Sequence, residues 1–254
     1  MKLFPSFLLV ILWSIASCSC QKKSNTGEEP TPPPVVEPSV GKVSVLLTTA
    51  NRQKEFYKEQ TDLKLIKNPN ASYSITLKPA EKFQTIYGFG AAITGSTCYN
   101  LMQMSPADRK NFLIQTFSET EGFGQNFVRI SIGCSDFSLS EYTLCDTKGI
   151  GHFALTKEET QYVIPILKEI LAINPKVQII GSPWTPPRWM KVNNLTDLQP
   201  HNQWTSGQLN PAHYQDYALY FAKWLQAIKD NGLNVNAITI QNEPLNRGNS
   251  ASMY

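Results

Sequence analysis

The hydrophobic positions of this chain change their spacing near residue 85. Between residues 41 and 84, short runs rich in β-branched and aromatic residues are separated by turn formers such as Asn68-Pro69-Asn70, a pattern that predicts β-strands. The predicted strands are 43–49, 63–66 and 73–77. Because so few strands make a poor independent domain, we expect them to belong to a small antiparallel sheet with further strands elsewhere in a longer chain.

After residue 85 the pattern alternates between apolar runs and amphipathic segments. The apolar runs, which predict strands, are 86–93, 127–132, 177–180 and 238–240. This alternation predicts an α/β fold with a parallel sheet covered by helices. In a (β/α)₈ barrel the active site lies on the loops that follow the strands, and the loops here are long and polar.

The helices between these strands have recognisable starts. Ser105-Pro106 is typical of a helix N-cap followed by proline at the first helical position. Thr156 with Glu159 three residues later is a capping-box pattern. A third helix begins near Tyr214 and ends before Gly232, and it carries an apolar stripe. The stripe consists of Tyr214, Tyr217, Ala218, Phe221, Trp224, Leu225 and Ile228.

The first residues predict an export signal. Lys2 precedes an apolar run over residues 3–15, which is too short to span a bilayer. The run ends in Ile15-Ala-Ser-Cys18, which resembles a bacterial lipoprotein signal over residues 1–20. Cys18 is then the lipidated residue, with Cys20 as the second choice and a plain secretory signal as the alternative. The protein is expected to be exported, with an anchor in the outer membrane. Residues 21–40 are a Pro-rich linker.

Composition and spacing exclude several classes of chemistry. Hydrophobic residues make up 41% of the chain and the net charge is +3, without a basic cluster interleaved with aromatics, so no nucleic-acid partner is expected. His152, His201 and His213 lack metal-ligand spacing, and no nucleotide-binding loop or serine-hydrolase elbow is present, so neither a metal nor a cofactor is expected.

The cysteines of the mature protein do not form a fully paired framework, because Cys98, Cys134 and Cys145 are an odd number. A bridge between Cys134 and Cys145 is possible by spacing. Buried free thiols are the favoured interpretation.

Residues suited to binding a sugar follow the second and third predicted strands. Asp136, after the second strand, is a candidate acceptor for sugar hydroxyls, and Arg129 could hold Asp136 or a neighbouring acid ionised or form a structural pair beneath a loop. Trp184 follows the third strand between prolines, where its ring could stack on a pyranose. Trp189 is the weaker candidate of the two, and either ring could instead pack within the loop.

Asn242 and Glu243 follow the fourth predicted strand. A carboxylic acid at this position could protonate a leaving oxygen and then activate water as a base. The neighbouring amide of Asn242 could donate a hydrogen bond to the sugar 2-hydroxyl. Cleavage of a glycosidic bond requires a second carboxylate, for which the chain offers no matching position after Glu243.

Together these segments resemble glycoside hydrolase family 30, the group that contains glucosylceramidases and β-1,6-glucanases. The resemblance covers roughly residues 40–254 and rests on motifs that occur in the family's order. They are Gly88-Phe-Gly-Ala-Ala-Ile-Thr, Arg129-Ile-Ser-Ile-Gly-Cys-Ser-Asp-Phe-Ser138, Ser182-Pro-Trp-Thr-Pro-Pro-Arg-Trp-Met-Lys191 and Thr239-Ile-Gln-Asn-Glu-Pro244.

The resemblance implies a (β/α)₈ TIM barrel, of which residues 85–254 are about the first four units, beside a β-sandwich that includes strands from 41–84. It also implies a retaining mechanism in which Glu243 is the acid/base. Asn242 corresponds to the family's preceding asparagine, Asp136 and Trp184 to residues of the glucose subsite, and Arg129 to an arginine near the catalytic centre. The nucleophile is then a glutamate on a later strand, beyond this chain, which alone is expected to be inactive.

The leading hypothesis is therefore an exported, lipid-anchored retaining glycosidase acting on β-linked glucose. A β-1,6-glucan, a glucosylceramide-like glycolipid and a short β-glucoside all remain open as substrates, and the glucan is favoured because a lipid anchor suits a cell-surface polysaccharide degrader. The alternatives are a non-catalytic carbohydrate-binding lipoprotein and a relative that cleaves glucuronoxylan.

Overall fold

The computed structural model describes residues 41–55, 57–60, 63–65 and 72–254. The predicted signal at 1–20, its lipidation site at Cys18 and the linker at 21–40 lie outside the described residues. The chain divides into two compact units, with the boundary between Lys82 and Phe83. None of the helices in the described ranges combines the length and the apolar character needed to cross a bilayer.

The first unit contains two short antiparallel pairs. Strand β1 (Gly41–Val43) pairs with β4 (Leu63–Leu65), and β2 (Leu46–Leu47) pairs with β3 (Tyr57–Lys58). The strand predicted at 73–77 is absent, and Tyr73 and Ile75 are exposed at 94% and 90%. Alternating β-branched residues favour a strand only where a neighbouring edge accepts their backbone hydrogen bonds, and none of the described strands pairs with 73–77. Membership of a β-sandwich stays a prediction.

The second unit is built on a parallel sheet. In chain order its strands are β5 (Gly90–Ala92), β6 (Phe127–Ser131), β7 (Gln178–Ser182), the short antiparallel pair β8 (Lys191–Val192) and β9 (Gln208–Leu209), and β10 (Ala237–Ile238). Strands β5, β6, β7 and β10 form a 4-stranded sheet in which sequence neighbours are spatial neighbours and every pair is parallel. This order is the one that successive units of a (β/α)₈ barrel require.

The helices partly follow the sequence prediction. They are α1 (Gly95–Gln103), α2 (Pro106–Phe117), α3 (Ile164–Ile173) and α4 (Tyr214–Asp230). Helix α1 has no counterpart in the prediction, because only Gly95, Cys98 and Leu101 are buried and they make a weak stripe. The capping box forms as predicted, with the Thr156 backbone N–H donating to Glu159 Oε2 at 2.8 Å. A wider helical turn over Glu159–Val163 then precedes α3.

The core lies between the sheet and the helices. Val128, Ile130 and Ile179 face it from the strands, each at most 2% exposed, and meet buried side chains of all the helices. Each such burial contributes about 1.5–3 kcal/mol. A Cβ added at Gly181 would lie 2.5 Å from Trp224 Cη2, so the contact between β7 and α4 requires glycine.

Candidate active site

The loops after β6, β7 and β10 meet at one edge, because parallel strands bring their carboxyl ends together. Past the end of β10, the chain continues alongside the β7 loop. The Thr239 N–H donates to Gly181 O at 2.9 Å, and the Asn242 N–H donates to Pro183 O at 2.8 Å. The Gln241 side chain adds a hydrogen bond from Nε2 to Trp184 O at 2.6 Å. These bonds place Asn242 beside the loop that carries Trp184.

Arg129 is the centre of the hydrogen-bonded cluster at this edge. Its Nη2 donates to Ser182 Oγ at 2.8 Å and to Asn242 Oδ1 at 2.7 Å. Its guanidinium carbon lies 4.7 Å from the centroid of the Trp184 ring. From the sequence, an ion pair between Arg129 and Asp136 was one option. In the structure Arg129 instead donates to an amide oxygen and to a hydroxyl oxygen. Because Asn242 Oδ1 accepts from Arg129, the N–H groups of that amide are the ones available to a ligand.

Ser182 and Thr239 support this cluster, and sequence reasoning missed both. Ser182 is fully buried at the end of β7, and its Oγ lies 2.5 Å from Thr239 Oγ1. Since Ser182 Oγ accepts from Arg129, its own hydrogen is free to point to Thr239. The only available signal was that each hydroxyl stands next to a predicted strand end within a recognised motif.

Trp184 and Trp189 occupy different environments on one loop. Trp184 is 8% exposed and packs with Cys134, Ala251 and Tyr142, and its buried Nε1 has no hydrogen-bond partner among the described residues. Trp189 Nε1 donates to Cys145 O at 2.8 Å, and its ring meets His213 edge-on with centroids 5.0 Å apart. Trp189 is thus a packing residue, while Trp184 belongs to the Arg129 cluster.

The sequence predicted that Glu243 would stand at the tip of a buried strand. In the structure it lies instead in a turn beyond β10. Strand β10 pairs with β7 only through Ala237 and Ile238, so the strand ends earlier than its apolar run suggests. Glu243 has a φ of 44° and is exposed. Its Oε2 accepts hydrogen bonds from Asn246 Nδ2 at 2.6 Å and from Asn249 Nδ2 at 3.4 Å. These amides orient the carboxylate through Oε2, and no residue in the described part of the chain donates a hydrogen bond to Oε1.

Asp136 stands on the loop after β6, and among the described residues it forms no ion pair with Arg129, which bonds to Ser182 and Asn242 instead. It is exposed in a turn that Ser135 and Ser138 hold, with the Ser135 N–H donating to Ser138 Oγ at 3.0 Å. Asp136 lines a cavity of about 350 Å³ together with Asn249. Because Asn249 also bonds Glu243, this polar cavity connects Asp136 with the Glu243 turn.

Residues 86–253 match the glycosyl hydrolase family 30 TIM-barrel domain. The chain belongs to glycosyl hydrolase family 30.

Named relatives in this family act on different glucosides. The chain is 34% identical to the lysosomal acid glucosylceramidase of Mus musculus over 67% of this chain and 33% of that protein. It is 34% identical to an endo-1,6-β-D-glucanase of Neurospora crassa over 73% of this chain and 39% of that protein. A solved structure, the endo-β-1,6-glucanase BT3312, is 59% identical with a TM-score of 0.74, over 84% of this chain and 45% of that one. The chain therefore spans less than half the length of each of these family 30 relatives.

Several buried ionisable groups of this unit have shifted pKa values. Burial raises the pKa of the Cys98 and Cys134 thiols to about 12. All the cysteines in the described ranges are free and buried, as the sequence favoured, and no Cys134–Cys145 bridge forms. Burial, and then the charge of Arg188, lowers the pKa of Lys191 to about 7. Of these groups, Cys134 packs against Trp184, and Lys191 Nζ lies 3.2 Å from Oγ1 of the neighbouring Thr185.

Proposed function

We propose that the protein containing this chain is a retaining glycoside hydrolase that cleaves β-linked glucose, with Glu243 as acid/base. The observation that supports this most strongly is the Arg129–Asn242–Trp184 cluster standing next to Glu243 at the carboxyl edge of the sheet. The nucleophilic carboxylate would come from a part of the barrel that this chain does not include.

The proposed reaction has two steps. Glu243, as a carboxylic acid, protonates the glycosidic oxygen while the nucleophilic carboxylate bonds to C1 and the C1–O bond breaks. Glu243, now a carboxylate, takes a proton from water, whose oxygen attacks C1 and releases the nucleophile. The amide of Asn242, oriented by Arg129, donates to the sugar 2-hydroxyl. Trp184 packs on the ring and Asp136 accepts from its hydroxyls.

Among substrates we favour a β-1,6-glucan. The relative with the highest identity among those compared above, at 59%, is named an endo-β-1,6-glucanase, and the named glucosylceramidase is 34% identical.

We further propose export with a lipid on Cys18, a side β-sandwich that includes residues 41–84, and no activity for this chain alone. Radiolabelled palmitate incorporated into the wild type and lost in Cys18→Ala would support a lipid on Cys18. Equal labelling of both would move the lipid to another residue such as Cys20, and no labelling of the wild type would contradict the anchor.

The test of the proposed activity compares Glu243→Gln with the wild type in the full-length protein. Without its proton donor, the variant should lose turnover of β-1,6-glucan, whereas an aryl β-glucoside with an activated leaving group should still form the glycosyl-enzyme. A suitable control is Glu121→Gln, on the loop after α2 at the opposite edge of the sheet. Proton NMR of the first product should show the β-anomer.

Other outcomes would redirect the assignment. Unchanged glucan turnover by Glu243→Gln would remove Glu243 from the reaction. If the wild type turns over glucosylceramide or glucuronoxylan but not β-1,6-glucan, the substrate is the one that is cleaved and not the glucan. Glucan binding by the wild type without hydrolysis of any of these would indicate a carbohydrate-binding protein.

A further inference from the structure

Lys191 carries a buried amino group that the proposed reaction does not use. It is 2% exposed at the start of β8. Its Nζ lies within hydrogen-bond distance of Ser252 O at 2.9 Å, Gln203 O at 3.0 Å, Thr185 Oγ1 at 3.2 Å and Trp204 O at 3.4 Å. Lysine is seldom fully buried unless paired with an acid, and the acceptors here are neutral oxygens.

These oxygens belong to separate segments that Lys191 ties together. Thr185 is on the β7 loop beside Trp184, and Gln203 and Trp204 lie between β8 and β9. Ser252 follows the Glu243 turn. The Ser252 N–H donates to Trp204 O at 3.0 Å, so the segment after the turn runs against the loop between β8 and β9.

The Glu243 turn is therefore fixed at both ends. At its start, Asn242 N–H donates to Pro183 O at 2.8 Å. At its end, the fully buried Ala251 packs against Trp184 and Cys134, and Ser252 O accepts from Lys191. Between these ends, the side chain of Glu243 finds its hydrogen-bond partners, among the residues that the structure describes, in Asn246 and Asn249 of the same turn. Its position relative to the β7 loop thus depends on the two anchors.

We propose that Lys191 is a positioning residue for the acid/base: by holding Ser252 O and the β7 loop on one amino group, it sets where Glu243 stands relative to Trp184. This inference rests on the proposed function of Glu243. Lys191→Met keeps an unbranched side chain of similar length but removes the donor shared by the buried carbonyls. The turn would then lose one of the contacts that fix its far end, the one that ties Ser252 O to the β7 loop, whereas the Arg129 cluster would stay intact.

The readout is the dependence on the leaving group, measured in the full-length protein. With Glu243 misplaced, kcat on β-1,6-glucan should fall about 10- to 100-fold, with little change in KM. An aryl β-glucoside with an activated leaving group, which needs no protonation, should lose much less in its glycosylation step. Leu113→Ala, a core substitution in α2, lowers stability without reaching the turn and should show no such selectivity.

The possible outcomes separate the proposed role of Lys191 from the proposed function of Glu243. If the wild type hydrolyses glucan and Glu243→Gln shows leaving-group selectivity, the proposed function stands. Equal losses on both substrates in Lys191→Met, or no loss, would then overturn the role of Lys191. If Lys191→Met does not fold, Lys191→Gln, which retains N–H donors on a shorter chain, is measured by the same criterion and should show a smaller selectivity of the same sign.

Discussion

The Arg129 cluster and the Glu243 turn lie side by side but are held in different ways. Arg129 on β6 donates both to Ser182 on β7 and to Asn242 in the segment after β10. Glu243 is exposed, and its carboxylate bonds within its own turn. The groups proposed to bind the sugar are thus fixed by the sheet, whereas the group proposed to transfer the proton is fixed by loops. Damage to the first should affect every glucoside equally, and damage to the second should depend on the leaving group.

The largest effect is expected from Arg129→Leu. This change leaves Asn242 Oδ1 and Ser182 Oγ without their donor and frees the amide to rotate, so kcat/KM should fall about 100- to 1,000-fold. Natural glucan and activated aryl glucoside should lose equally, as steady-state kinetics on both substrates would show. Arg129→Lys keeps one donor but not the planar fork, and an intermediate loss is expected. A loss confined to glucan would mean that Arg129 acts through Glu243.

A smaller effect should separate the two tryptophans of the β7 loop. Trp184→Phe reduces the ring area offered to the sugar, and KM should rise about 10- to 30-fold. Trp189→Phe removes the hydrogen bond to Cys145 O, so the free energy of unfolding should fall by about 1 kcal/mol with KM unchanged. Urea unfolding and initial-rate kinetics on both variants would decide. A raised KM in Trp189→Phe would show that both rings meet the substrate.

The smallest effect expected is a pH dependence of stability from Lys191. Its pKa is about 7 in the folded chain against an ordinary value of 10.5, because of burial first and then Arg188, with the thiol of Cys134 acting in the opposite sense. Above pH 7 the unfolded chain keeps a proton that the folded chain has lost, so stability from this group rises with pH and is flat below that range.

The free energy of unfolding of the wild type should therefore rise relative to Lys191→Met by about 1 kcal/mol between pH 7 and pH 8. Urea titrations of the two full-length proteins at matched ionic strength would measure this difference. Parallel pH profiles would show that Lys191 keeps its ordinary pKa when folded.

Much of the fold and part of the candidate site followed from the sequence. Parallel neighbouring strands end at one edge, so Arg129, Trp184 and Asn242 could be expected to meet there, and they do. Helix α1 was missed because its buried positions are few. The strand predicted at 73–77 does not form, because none of the described strands offers an edge that pairs with it. Such features depend on tertiary partners, which a local pattern does not contain.

The finer geometry of the site was also beyond the sequence pattern. Ser182 and Thr239 are small hydroxyl residues without a spacing signal of their own. Arg129 bonds to the amide of Asn242 and not to Asp136. This choice of partner depends on the path that each loop takes after its strand. The roles assigned to Asp136, Trp184, Asn242 and Glu243 stay predictions until the variants are measured.

The φ of 44° at Glu243 carries a consequence for protein engineering. Residues with a β-carbon other than asparagine or aspartate are disfavoured in this backbone region, and glycine adopts it without strain. A screen that rewards thermostability alone would thus favour Glu243→Gly or Glu243→Asn and discard the proposed proton donor. Folding and the proposed chemistry make opposite demands on this one position, so attempts to stabilise the protein should leave Glu243 unchanged and strengthen the contacts at both ends of its turn instead.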